Sequence, residues 1–139
     1  MARARFPVEI LTPEGAVFDE QVEMLSTRTT TGSIGVLANH TPLLAMVDPT
    51  ELRLYRSQSE IVRFAQGEGY LQVGCNRALL LVEEALRPEA LDVGELREKL
   101  ARAQGAHAAA PQDSEERRKA ARDARRWQTF IAIAEGSRA

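Results

Sequence analysis

The residue usage of this 139-residue chain changes near residue 87, and that change constrains its fold more than any other feature. Up to residue 86, valine, isoleucine, threonine and glycine are common, whereas alanine, arginine and glutamate dominate from residue 87 onward. β-Branched residues favour strands, and alanine, arginine and glutamate favour helices. We therefore predict a strand-rich domain over residues 1–86 followed by a helical domain over residues 87–139.

Short runs of alternating apolar and polar residues fill the first of these domains. Phe6, Val8 and Ile10 share one face of an extended chain, and the same alternation returns at Leu52 and Leu54. Turn-forming residues separate the runs about every 8 to 12 residues, as they do in all-β domains. The pattern predicts an antiparallel β-sandwich.

Two helix starts mark the second domain. Asp92 is followed three residues later by Glu95, and Asp113 by Glu116, so each pair can satisfy free amides at a helix N-terminus. Gly105 is expected to end the first helix. Apolar residues recur at helical spacing in both segments, at Val93, Leu96, Leu100 and Ala103, and at Ala120, Ala124, Trp127 and Ile131. We predict an antiparallel α-helical hairpin.

Composition and charge exclude several classes of protein. No run approaches the roughly 18 consecutive apolar residues of a membrane helix, and no apolar stretch follows the two N-terminal arginines, so we expect neither a span nor a signal peptide. Residues 1–86 carry 7 arginines and no lysine against 11 acids, a net charge of −4, whereas residues 87–139 carry 11 basic residues against 9 acids, a net of +2. This balance gives no reason to expect a nucleic-acid partner.

Motifs for catalysis are missing. Gly32-Ser33-Ile34-Gly35 is not followed by the Gly-Lys-Ser/Thr of a phosphate loop, and the two histidines, His40 and His107, have no neighbours at metal-ligand spacing. Cys75 and His40 could form a nucleophile and base, but a single thiol in a hairpin turn is the simpler interpretation. We therefore predict no catalytic residue, no metal ion and no cofactor.

The most distinctive segment covers residues 31–44. We interpret it as a glycine-hinged loop that carries aliphatic residues, with His40 and Pro42 ahead of a second aliphatic run. One hypothesis is a tight corner of the sandwich in which His40 bonds the turn. The other is a protruding loop that presents His40 to a partner.

This segment resembles the Gly-x-x-Gly-Ile-Leu-x-x-His-x-Pro-Leu motif of the epsilon subunit of F-type ATP synthases. Other stretches that resemble the same family are residues 8–15, 67–73, 76–77 and 81–85. The resemblance therefore covers nearly all of residues 1–92 in order, and the predicted hairpin follows in the expected place.

The resemblance implies a non-catalytic subunit of the central stalk that couples proton translocation to ATP synthesis, on the cytoplasmic face of the bacterial cell membrane. In that family the sandwich contacts the gamma subunit and the ring of c subunits, and the loop with the histidine touches the ring. Carried over to this sequence, the contact residues are Gly32, Ser33, Ile34, Gly35 and His40. Ser33 stands where many members have an acidic residue, which weakens the expected charge contact.

Four arginines share one face of the second predicted helix: Arg118, Arg122, Arg125 and Arg126. One hypothesis is a solvated face with internal ion pairs to Glu115 and Asp123. The resemblance implies another, in which the helix extends and the arginines contact an acidic loop of the catalytic beta subunit, so that ATP hydrolysis is restrained.

Some members of that family also bind ATP between the helices through an Ile/Leu-Asp-x-x-Arg-Ala motif. Leu91 and Asp92 fit this motif, but Glu95 and Leu96 occupy the arginine and alanine positions. Because an acid repels phosphate, we expect weak or no ATP binding, with Asp92 acting as a helix cap.

Two alternative functions remain open from the sequence. The first is a free-standing interaction module, built from a sandwich and a helical hairpin, that serves another assembly. The second is a small hydrolase that uses His40 or Cys75.

Overall fold

A computed structural model describes residues 3–136 of the chain. It divides into two compact units, one ending at Arg87 and the other beginning at Pro88, next to the point where the residue usage changes.

The first unit is a β-sandwich in which one nearly closed sheet wraps around the core, as the alternation predicted. Its described strands are β1 (Phe6–Thr12), β2 (Gly15–Val22), β3 (Met24–Thr29), β4 (Gly32–Leu37), β5 (Leu43–Val47), β6 (Thr50–Tyr55), β7 (Ile61–Gln66), β8 (Gly69–Gly74), β9 (Arg77–Val82) and β10 (Ala85–Leu86). The strand order is β10-β7-β6-β3-β5-β8-β9-β1-β2, and β4 pairs with β3.

One strand pair departs from the predicted antiparallel arrangement. β1 runs parallel to β9, with Val8 opposite Ala78 and Leu11 opposite Leu81. Parallel neighbours cannot be joined by a tight turn. No short-range signal in the sequence therefore marks this pairing.

Alternating side chains from the strands form a core that is mainly aliphatic. Phe6, Val8 and Ile10 are buried together from β1, as predicted. The rings of Phe18 and Phe64 meet edge to face, with 6.1 Å between their centroids. Because aromatic residues make up only 5% of the chain, the close packing of branched aliphatic side chains fills most of the remaining volume.

A fully buried amide, that of Gln66, lies within this apolar core. Its Oε1 accepts a hydrogen bond from the Thr27 hydroxyl at 2.7 Å, and its Nε2 donates to the Asp48 carbonyl at 2.9 Å. Both polar groups of the amide are therefore satisfied, which offsets the cost of their burial. The bonds connect β7 to β3 and to the segment between β5 and β6.

The position of β8 is defined at both of its ends. At its start, Gly69 lies so close to β9 that an added Cβ would overlap the Leu81 carbonyl oxygen and lie 2.8 Å from the Val82 Cα. At its other end, Cys75 and Asn76 form a two-residue turn with φ values of 49° and 57°. Two positive φ values are typical of a type I′ hairpin, which fixes the register of the strands it joins.

The second unit contains two described α-helices, α1 (Val93–Ala109) and α2 (Glu115–Gly136), after a short 3₁₀ helix at Pro88–Ala90. The helices form the predicted hairpin. Asp92 caps α1 as predicted, because its Oδ1 accepts a hydrogen bond from the Glu95 amide at 3.2 Å.

Two predictions of helix boundaries are wrong. Gly105 does not end α1, which continues to Ala109, since the neighbouring alanines favour the helix enough to tolerate one glycine. Asp113 does not cap α2: it has a φ of 58°, and the Ser114 hydroxyl accepts the hydrogen bond from the Arg117 amide at 3.1 Å.

Two aromatic residues, Trp127 and Phe130, belong to the buried side of α2. The rings of Trp127 and Phe130 meet edge to face, 5.9 Å apart, and Phe130 is fully buried. Lys99 of α1 lies over the Trp127 ring at 4.8 Å, which adds a cation–π contact between the helices. Phe130 was not among the apolar positions predicted for this helix.

We expect Gly69→Ala to lower the free energy of unfolding of the sandwich by about 3 kcal/mol, because the new methyl group overlaps backbone atoms that cannot rotate away. The matched control is Gly74→Ala at the other end of β8, where an added Cβ meets no atom within 4 Å. Chemical denaturation of both variants measures the difference. Equal stability of the two variants would contradict the close approach at Gly69.

Candidate functional site

Residues Gly32–Leu37 of the distinctive segment form the strand β4 and not a loop, which corrects the prediction. β4 pairs with β3 along its whole length. A two-residue turn joins the two strands, and Gly32, directly after this turn, has a φ of 140°. Ser33 and Gly35 are exposed, whereas Ile34 packs against the core. The glycine-rich sequence concealed a strand because glycine is uncommon in strand interiors. The loop is confined to residues 38–42.

His40 belongs to this loop and is half-buried. Its Nδ1 lies 2.6 Å from the Thr41 carbonyl oxygen. Because a carbonyl oxygen can only accept a hydrogen bond, Nδ1 is the donor and carries a proton. The backbone amide of the preceding residue, Asn39, donates a hydrogen bond to Oδ1 of Asn76 at 2.7 Å. The loop is thereby connected to the turn between β8 and β9, and the two form one end of the sandwich.

Cys75 is exposed in that same turn. Within residues 3–136 no hydrogen bond joins its thiol to His40, whose Nδ1 is engaged by Thr41. Over the same residues, no group of three histidine, cysteine or acidic side chains could hold a metal ion.

An exposed apolar row crosses β5, β8 and β9, and sequence reasoning did not identify it. Met46 lies opposite Tyr70, and Tyr70 lies opposite Leu81. Leu44 is two residues from Met46 on the same face of β5 and is the most exposed member, at 72%. The sequence does contain a signal for this row. β5 is apolar along its whole length, whereas an antiparallel strand with one face in water usually alternates between apolar and polar residues. Contiguous exposed apolar side chains indicate a partner-binding surface.

The four arginines predicted to share a face of α2 do not have equal access to solvent. Arg118 is exposed and bonds Glu115 at 2.9 Å, and Arg122 and Arg125 are also exposed. Arg126, in contrast, is buried. The basic face that α2 presents in this structure therefore consists of three arginines.

The burial of Arg126 has two causes. Its guanidinium lies over the Trp127 ring, 4.9 Å from the centroid, and its Nη2 pairs with Asp123 at 3.2 Å. Arg126 lies at the edge of the helix face that packs inward, so the aromatic ring covers it.

A groove of about 450 Å³ lies between α1 and α2, and none of its lining residues belongs to the segment that resembles an ATP-binding motif. It is lined by Lys99, Arg102, Ala103, Ala106, Glu116, Lys119, Ala120, Asp123 and Trp127. Lys119 pairs with Asp123 at 2.8 Å, so part of its positive charge is neutralised within the hairpin. Of the two residues that depart from the motif, Glu95 is exposed and Leu96 is buried.

Neither described helix, α1 or α2, combines the length and the apolar character that a membrane-crossing segment requires.

Comparisons with known proteins place the first unit within one family. Residues 5–88 match the family described as ATP synthase, delta/epsilon chain, beta-sandwich domain. The ATP synthase epsilon chain of Alkalihalophilus pseudofirmus is 34% identical over 107 residues, which cover 77% of this chain and 80% of the relative. The epsilon chain of Persephonella marina is 39% identical over 88 residues, which cover 63% of this chain and 65% of the relative.

Two solved structures have the same fold. A chain of the Euglena gracilis mitochondrial ATP synthase, described as OSCP/F1/c-ring, has a TM-score of 0.75 at 19% identity and covers 95% of this chain and 82% of its own length. A chain of the Tetrahymena thermophila central stalk/c-ring assembly has a TM-score of 0.59 at 14% identity and covers both chains fully. The chain belongs to the epsilon subunit family of F-type ATP synthases.

Proposed function

We propose that this chain is a non-catalytic subunit of the central stalk of an F-type ATP synthase and couples proton translocation to ATP synthesis. Membership of the epsilon family carries this proposal. The solved chains with the same fold belong to assemblies described as OSCP/F1/c-ring and as central stalk/c-ring, which supports the same place in the complex. The subunit would be a peripheral protein on the cytoplasmic face of the bacterial membrane.

The exposed apolar row is the surface that we assign to the gamma subunit. Leu44, Met46 and Tyr70 are each more than half exposed, and they lie side by side on paired strands. Exposure of this row to water is unfavourable by about 25 cal/mol for each Å² of apolar surface, so a permanent partner gains stability by covering it. A subunit that rotates with its neighbour needs this kind of lasting, largely apolar interface.

The end of the sandwich that carries His40 is the part that we assign to the c-ring. The loop of residues 38–42 and the turn at Cys75 and Asn76 lie together at this end, whereas Ser33 is exposed near the other end of β4. Their polar surface suits the polar loops of a membrane ring better than it suits lipid.

The helical hairpin is the part that we propose restrains ATP hydrolysis. Arg118, Arg122 and Arg125 present guanidinium groups on the exposed side of α2. Arginine forks bind carboxylates bidentately, so this face suits an acidic loop of the catalytic beta subunit. In this structure α1 and α2 are folded on each other, and the proposed restraint requires α2 to extend toward the beta subunit.

We expect the double variant Leu44→Asp/Met46→Asp to reduce recovery of the chain with the other ATP synthase subunits by more than about tenfold, because two charges would be buried in the proposed gamma interface. Affinity purification from detergent-solubilised membranes measures the recovery. Val17→Asp, at an apolar residue of β2 that is 39% exposed and lies outside the row, is the control and should bind normally. Undiminished recovery of the double variant, or recovery only with proteins outside the synthase, would support the alternative of a free-standing interaction module.

Deletion of residues 113–139 tests the proposed restraint. We expect the assembled enzyme to hydrolyse ATP several-fold faster without α2 while still synthesising ATP, since the arginine contact to the beta subunit is lost. Arg122→Glu should reproduce part of this effect, whereas Arg102→Glu, at an exposed arginine of α1, should not. If the deletion leaves hydrolysis unchanged in the assembled enzyme, the hairpin has no inhibitory role.

We expect isothermal titration of the full chain with ATP to show weak or no binding, because Glu95 places a negative charge where phosphates would lie. Glu95→Arg changes an exposed position to the residue of the family motif, and this variant should bind ATP more tightly than the native chain. Tight binding of ATP by the native chain would contradict the assignment.

A further inference from the structure

The outer face of β3, β6 and β7 carries a cluster of arginines that the proposed function does not use. Arg53 of β6 and Arg63 of β7 lie directly opposite each other in the register of the two strands. Arg28 is exposed on the neighbouring strand β3. Like charges directly opposite each other destabilise a strand pair, so this arrangement needs a compensating group. We call Arg28, Arg53 and Arg63 the arginine face.

One carboxylate compensates two of these arginines. Oε1 of Glu51 lies 3.0 Å from Nε of Arg53 and 3.1 Å from Nε of Arg63, so a single oxygen serves both guanidiniums. The side chains of Arg53 and Arg63 remain 46% and 50% exposed. Arg28 forms no ion pair with any residue between 3 and 136 and is not in contact with a carboxylate there. Counted with Glu51, the three arginines of the face have a formal net charge of +2.

The surface next to these arginines is small and neutral. Ser26 pairs with Arg53 across β3 and β6, and Ser33 pairs with Arg28 across β3 and β4. Gly35 follows on the same exposed side of β4. An extended segment of another protein can therefore approach the guanidinium groups over Ser26, Ser33 and Gly35, and Glu51 is the acidic side chain that it meets on β6.

We propose that the arginine face binds an acidic segment of a partner protein, with carboxylates seated on Arg53, Arg63 and Arg28. Guanidinium groups form two parallel hydrogen bonds to a carboxylate, and neutralisation by a second carboxylate relieves the repulsion between Arg53 and Arg63. Anionic membranes are the weaker candidate, because electrostatic binding to lipid surfaces usually takes four to eight basic residues. None of the three arginines belongs to the apolar row or to the end of the sandwich that carries His40, so this binding surface goes beyond the proposed function, although Ser33 and Gly35 beside it are residues that the resemblance assigns to the c-ring.

Titration of the full chain with a capped poly-glutamate peptide, followed by NMR of the arginine Nε–H groups, tests this proposal. We expect the signals of Arg53 and Arg63 to shift on addition of poly-glutamate and to remain unchanged with neutral poly-glutamine. Arg53→Gln and Arg63→Gln should each weaken binding about fivefold, the effect of losing one exposed charge pair. Arg77→Gln, at an exposed arginine on β9, is the matched control and should leave affinity unchanged.

The variant Glu51→Gln distinguishes arginines that bind a partner's carboxylates from arginines that only form a structural ion-pair network with Glu51. If the face binds carboxylates, this variant releases both arginines and tightens binding of poly-glutamate. Unchanged or weaker binding by Glu51→Gln would overturn the proposal, as would equal loss of affinity in Arg53→Gln and Arg77→Gln. Binding to phosphatidylglycerol vesicles without binding to the peptide would also overturn it and assign the face to a membrane.

Discussion

The register of β8 is the constraint on which the rest of the sandwich depends. β8 lies between β5 and β9, and its inward side chains, Leu71 and Val73, are buried in the core. A slip of one residue would turn these side chains outward and bring Tyr70 inward, so the hydrophobic effect strongly favours one register. The close approach at Gly69 and the tight turn at the other end of the strand fix the same register by geometry.

The surfaces that we assign to partners follow from this register. It aligns Met46, Tyr70 and Leu81 in one exposed row, and it brings Asn76 to the amide of Asn39, so that the loop with His40 is held at one end of the sandwich. Binding surfaces that are built on paired strands are rigid before a partner arrives, and a rigid surface loses little conformational entropy on binding. A subunit that transmits torque benefits from this rigidity.

Local chemistry made much of the fold predictable from the sequence. The alternation in β1 and the cap at Asp92 each depend on residues a few positions apart, and both were predicted correctly. The parallel pairing of β1 with β9 could not be predicted in this way, because it joins distant segments. The exposed residues of β5 were not predicted, because a continuous apolar run indicates a buried strand unless a partner surface is known to cover it. The arginine face was not predicted because a net charge averages over all faces: residues 1–86 are acidic overall, yet three of their seven arginines lie together on one side of the sheet.

Site-specific cross-linking from Cys75 tests whether this end of the sandwich lies against the c-ring. Cys75 is the single cysteine of the chain, and it is exposed in the turn beside the loop that carries His40. A photoactivatable group attached to this thiol, after the labelled chain is assembled with the other subunits in membranes, reports what this end of the sandwich touches. We expect an adduct with the c subunit. Adducts only with proteins outside the ATP synthase, in a preparation where the chain is assembled, would contradict it.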